Sequence, residues 1–200
     1  MIFPQPPVGA TDLAWLKERL VLDAEAADLL DVAYRVVDTP VGPLLLAGTT
    51  VGLVRVAYVA DGCDTVLDEL AQRIGPRILD APHRLDPVVR QLDEYFAGTR
   101  THFDVPLDLR LAHGFRREVI TRLSEIDYGR TASYGQVAAS AGNPRAVRAV
   151  GTACARNPLP VVVPCHRVVR SDGSMGQYVG GTGAKHQLLQ LESSVAGGGV

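Results

Sequence analysis

The sequence predicts an α+β fold: a small N-terminal α/β domain with an antiparallel three-stranded sheet, then a helical, winged-helix-like domain built on a helix-turn-helix. Three observations predict it. Val- and Leu-rich runs between Tyr34 and Val59 are broken by turn residues at Thr39-Pro40-Val41-Gly42-Pro43 and at Gly48-Thr49-Thr50-Val51-Gly52. Two helix starts follow in quick succession, the capping box Ser133-Tyr134-Gly135-Gln136 and Asn143-Pro144, with Gly142 placed to end the first helix. Charge divides the chain: residues 1–112 hold 10 Lys/Arg against 17 Asp/Glu, net −7, and residues 113–200 hold 10 against 5, net +5.

In chain order, Thr11–Ala33 reads as a helical segment, since Leu13, Leu16, Leu20 and Leu22 partly follow helical spacing after a capping-type Thr11. Residues 1–33 therefore form an extension without visible chemistry. The three strands follow, and then helices at Thr65–Ile74 and Asp86–Phe96 complete a domain over residues 34–112. Thr101–Leu109, with Pro106, reads as an extended connector. Phe115–Ile126 opens the second domain, residues 113–192, as an amphipathic helix, and residues 193–200 read as a flexible tail.

Composition sets limits. With 46% hydrophobic and 21% charged residues, 200 residues suffice for a sizeable core. The N-terminus lacks a basic stretch followed by an apolar one, and no apolar run approaches the ~20 residues of a membrane span, so a soluble, cytoplasmic protein is expected. Three cysteines, Cys63, Cys154 and Cys165, form no disulfide framework, and no Cys/His spacing suggests zinc.

Cys165 and His166 stand side by side in the strand-like run Val161–Val169. A free thiol with a pKa of about 8.5 is only a few per cent thiolate at neutral pH, and a neighbouring imidazole raises that fraction. Adjacent strand residues face opposite ways, so the pair can cooperate only where the backbone turns, and Pro164 supplies such a break. Arg167, polar in an apolar run, points the same way, because arginine is rarely buried unless paired. The competing reading of the dipeptide is simple core packing.

The second helix of the pair, Pro144–Ala155, divides by face. Val147, Val150 and Cys154 recur at core spacing, Ala146, Ala149 and Ala153 form a stripe of little bulk, and Arg145, Arg148 and Arg156 lie elsewhere. A cationic helix with a thin face suits entry into a nucleic-acid groove, with a solvated arginine face as the alternative.

From Phe115 to Glu192 the chain resembles the O6-alkylguanine-DNA alkyltransferases. The resemblance rests on Thr131–Ala139 (TASYGQVAA), Gly142–Val150 (GNPRAVRAV), Asn157-Pro158, Pro164–Val169 (PCHRVV), Gly176–Gly181 (GQYVGG), and Lys185 with Glu192, in that order. Leu92–Leu107 resembles the family's inter-domain region, and Thr11–Ala33 lies outside the likeness.

The resemblance implies repair of duplex DNA by irreversible, single-turnover transfer of an alkyl group from guanine O6 to Cys165, with activity on alkylated thymine O4 left open. It implies no cofactor and no metal. His166 would act as base on Cys165 through a water, with Glu192 fixing its tautomer. Tyr134 and Lys185 would meet the charge on the departing guanine, and Asn157 would brace the active-site turn. Arg148 would fill the stack vacated by a base flipped through the minor groove, with Tyr134, Arg145, Ala146, Ala149 and Thr152 also on DNA. Pro160, Val168, Tyr178 and Val179 would line the pocket, with Gln177 in the loop above it. The partner implied is double-stranded DNA carrying O6-alkylguanine, bound by a monomer, with cooperative clustering left open. A damage sensor without chemistry, and a cysteine hydrolase using Cys165, His166 and Glu192, are the alternative classes.

Overall fold

Strands β1 (Val32–Val37), β2 (Leu44–Gly48) and β3 (Leu53–Tyr58) form antiparallel neighbours, as their punctuation by turns predicts. The computed structural model, which describes residues 10–197, adds a strand, β4 (Ile78–Asp80), that pairs parallel with β1 and gives the order β3-β2-β1-β4. Three residues after Pro76 are too short a run to show a period of two, which is why the sequence does not reveal it.

Strand β2 is buried throughout because both faces of the sheet are covered. Leu45 and Ala47 face α2 (Cys63–Arg73) through Val66 and Leu70. Leu44 and Leu46 join a larger core with Leu92 and Tyr95 of α3 (Asp86–Phe96). That core continues into the second half of the chain. It takes in Val119, Ile120 and Leu123 of α4 (Phe115–Leu123), Val137 and Ala138 of α5 (Tyr134–Ser140), and Val150, Ala153 and Cys154 of α6 (Val147–Ala155).

Two short strands set the geometry of the site. β5 (Ala132–Ser133) pairs parallel with β6 (Val168–Val169), so the chain entering α5 lies beside the chain leaving the single 3-10 turn Cys165–Arg167. The sheet meets this region too, since the Val56 amide donates to the Pro158 carbonyl at 2.8 Å. The connector after α3 runs along β3, held by Leu53 to Pro106 at 2.8 Å and Asp108 to Leu53 at 2.9 Å.

Several expectations are corrected. The first helix, α1, spans Ala10–Ala26 rather than reaching Ala33, and Asp28 (φ 53°) turns the chain toward β1. Leu13, Leu16, Leu20 and Leu22 are about half exposed, while Val21 is the buried residue of that helix. Residues 1–9 of the expected extension lie outside the described residues. Ser193–Gly197, read as tail, are the last turns of α7 (Gly181–Gly197). Asn143-Pro144 opens a turn, not a helix: the Ala146 amide bonds the Asn143 carbonyl at 2.9 Å, and α6 starts only at Val147. Among the described residues, no helix is long and apolar enough to cross a membrane.

Candidate active site

The loop between α6 and the 3-10 turn is held in an unusual shape by one side chain. Asn157, 2% exposed, donates from Nδ2 to the Val163 carbonyl (2.9 Å) and to Cys165 Sγ (3.1 Å), and accepts from the Leu159 amide (3.0 Å). Between those anchors Val161 adopts φ +72°, a left-handed conformation that costs a β-branched residue about 1–3 kcal/mol. The surrounding hydrogen bonds hold it there, and the strain falls four residues before the thiol.

Cys165 is 2% exposed. Burial pushes its thiol up to about 11, against the opposing pull of the Asn157 amide and the Lys185 cation. Burial thus favours the neutral thiol over the thiolate. A proton acceptor is required, and the next residue provides one.

His166 is fully buried, and burial depresses its pKa although Glu192 works to raise it. Its Nε2 lies 2.9 Å from Glu192 Oε1. Burial favours protonated Glu192, but the His166 and Arg167 hydrogen bonds and charges outweigh it and hold the carboxyl at about 2. Because an ionised carboxylate only accepts, Nε2 carries the imidazole hydrogen and Nδ1 keeps its lone pair. Nδ1 is buried without a hydrogen-bond partner among the described residues. The neutral imidazole is therefore poised to take a proton.

Glu192 receives more than the sequence suggests. Arg167 donates to it twice, Nε to Oε2 at 2.9 Å and Nη2 to Oε1 at 2.8 Å. Tyr95 Oη donates at 2.7 Å and the Gly129 amide at 3.1 Å. Tyr95 comes from α3, so the N-terminal half contributes directly to the network. Its signal in the sequence is only the spacing Val88, Leu92, Tyr95, which reads as core.

Lys185 has no exposed surface, and Nζ donates to the Val168 carbonyl at 2.5 Å. Burial lowers its pKa, opposed by Cys165 and Cys154, and no carboxylate pairs with it among the described residues. The inward stripe of α7 is Ala184, Lys185, Leu188 and Glu192, while Leu189 lies on the flank. Tyr134 begins α5 behind the observed capping box on Ser133. A Cβ on Gly176 would collide with its hydroxyl, so only glycine lets that loop cross the tyrosine.

Of the expected pocket residues, Pro160 and Val168 are buried, Val179 is half-buried, and Tyr178 is 9% exposed with its hydroxyl 3.3 Å from that of Tyr58 on β3. The expected DNA contacts are accessible. Arg148, Ala149 and Thr152 are exposed on α6, with Arg145 and half-buried Ala146 in the turn before it. Ala153, expected in the thin stripe, is core, and Val147, expected in the core, is 42% exposed. Val147 is the first residue of α6, at its exposed end, and Ala153 lies between the core positions Val150 and Cys154.

A buried thiol beside an imidazole–carboxylate–guanidinium chain, carried on a helix-turn-helix domain, defines a thiol-acceptor protein built to meet nucleic acid. Family comparison agrees. Residues 32–109 match the ribonuclease-like domain and residues 114–194 the DNA-binding domain of 6-O-methylguanine DNA methyltransferase, and the chain belongs to this family. It is 40% identical over 165 residues to the methylated-DNA–protein-cysteine methyltransferase of Mycobacterium tuberculosis H37Rv, covering 82% of this chain and 94% of the relative. It is 35% identical over 182 residues to the mouse protein of the same name, covering 86% of each. A crystal structure of the Mycobacterium tuberculosis protein in complex with DNA superposes with a TM-score of 0.72 at 40% identity, covering 82% of this chain and 94% of that one. All of α1, Ala10–Ala26, lies before the residues that the family models match.

Proposed function

We propose that this methyltransferase repairs duplex DNA by moving the alkyl group of O6-alkylguanine to Cys165 once and irreversibly. The observation that carries the reading is the chain from Cys165 Sγ, held by Asn157, to His166 with its Nδ1 lone pair uncommitted and Glu192 on the far nitrogen. The thiol proton passes to His166 through a bridging water, the S–C bond forms as the C–O6 bond breaks, and the departing guanine takes a proton from Tyr134. Lys185, a buried cation beside the thiol, offsets the negative charge of the step.

A stacked guanine hides its O6, so the nucleotide is extruded at a cost of about a few kcal/mol, through the minor groove, with Arg148 in the vacated position. The exposed α6 face of Arg148, Ala149 and Thr152 supports this, and Arg145 and Ala146 flank it. Pro160, Val168, Tyr178 and Val179 form the pocket wall. The protein acts as a cytoplasmic monomer. A thioether offers no route back, so turnover ends at one.

A single-turnover assay on a duplex with one O6-methylguanine tests this. Product rises to one equivalent per protein and stops, and Cys165→Ala gives none. Continued turnover, or repair by the alanine variant, contradicts the proposal.

A further inference from the structure

Four arginines from four different elements converge on one cleft of about 380 Å³: Arg55 of β3, Arg73 closing α2, Arg116 of α4 and Arg156 just after α6. A single carboxylate, Glu69, stands against them. It engages Arg73 Nη1 at 2.9 Å and approaches Arg55 only to 3.6 Å, beyond hydrogen-bond reach. Arg73 and Arg116 spend one amino group each on the Leu111 carbonyl. The Arg55 Nε is buried with no partner, and the Arg156 side chain has none among the described residues.

Four guanidiniums against one carboxylate leave three positive charges in a concave space. Like charges gathered this way repel, and a buried donor without an acceptor costs about 1–3 kcal/mol. Both penalties are relieved by one kind of occupant, an anion with several acceptor oxygens and the tetrahedral shape that guanidiniums grip in pairs. The cleft also adjoins the reaction site, since Asn157, which holds the Cys165 sulfur, and Val179 of the pocket loop line it.

We propose that this inter-domain cleft is a phosphate-binding site, distinct from the α6 face and fed by arginines that the N-terminal half supplies in part. Its occupant is a phosphate group, carried by the backbone of the bound duplex or free in solution as the anion. The duplex form rests on the DNA-repair reading above, and the free form does not.

The test uses the full chain and two variants, Arg156→Gln, which removes an exposed side chain with no internal partner, and the double variant Arg116→Gln/Arg156→Gln. Inorganic phosphate is titrated by calorimetry and by NMR of the arginine Nε–H groups. Affinity for an unmodified duplex is measured against salt. Reaction of Cys165 with the free modified base, which carries no phosphate, reports separately whether the repair chemistry stands.

For a backbone phosphate, duplex affinity falls on the order of tenfold in the double variant, and the slope of log affinity against log salt drops by about 0.9 per lost contact. For the free anion, phosphate shifts the Arg55 Nε–H resonance in the wild type, the variants abolish the shift, and the duplex slope is unchanged. No phosphate response together with an unchanged duplex slope overturns the site and leaves the arginines as a clamp between the two halves. If the free-base reaction fails while phosphate still binds, the repair reading falls and the cleft survives.

Discussion

Arg167→Leu is the sharpest test of the buried network. The guanidinium makes two charge-assisted hydrogen bonds to Glu192, donates to the Ile126 carbonyl, and lies 5.6 Å from the centre of the Tyr128 ring. Removing it takes the guanidinium charge and two of the donors from a carboxylate that is 1% exposed, leaving only His166, Tyr95 and the Gly129 amide. Losing one partner of such a buried pair costs about 3–5 kcal/mol. The balance at Glu192 points the same way: its carboxyl is held at about 2 although burial favours the protonated form, so the His166 and Arg167 interactions together outweigh that penalty. Urea unfolding followed by circular dichroism at pH 7 should show the loss, with a melting temperature lower by roughly 10 °C. Toward pH 4 the deficit shrinks, because protonating Glu192 removes the stranded charge. A loss below about 1 kcal/mol, or the same loss at both pH values, refutes the reasoning.

Three further outcomes follow from the same geometry. Glu192→Gln flattens the acid limb of stability: the depressed carboxyl contributes fully above 4.5 and its contribution is lost as pH falls toward 2, so the wild type loses about 3 kcal/mol across that window that the variant does not, as acid titration by circular dichroism will show. Tyr95→Phe keeps the ring but removes a donor to Glu192, so the carboxylate holds the imidazole proton harder. The rising limb of the pH–rate profile then moves to higher pH, whereas a purely structural role would lower the rate at every pH alike. Arg148→Ala slows repair of duplex more than reaction with the free modified base, for which no flipping is needed; equal slowing on both, in single-turnover kinetics, removes Arg148 from that role.

The candidate site residues stand out in the sequence because each is chemically unusual where it stands: a thiol beside an imidazole, a proline before them, an arginine inside valines. The capping box at Ser133 was equally plain, since both partners lie within one turn. What escaped was whatever depends on distant chain segments meeting. Tyr95 reads as core until α7 brings Glu192 to its hydroxyl, 97 positions away, and β4 is too short to declare itself. The burial of the thiol by both halves of the chain, which favours its neutral form, is likewise a product of distant segments meeting. At α6 the misreading was local: Asn143-Pro144 looks like a helix start but closes a separate turn, which leaves Val147 at the exposed first position of the helix.

The account stands on Cys165 as the permanent acceptor. Intact-mass and peptide mass spectrometry after incubation with a duplex bearing one O6-methylguanine tests that most directly. One added methyl group, mapped to Cys165 with the guanine restored, is the predicted result. A folded protein whose Cys165 carries no methyl group, over DNA still methylated, contradicts it.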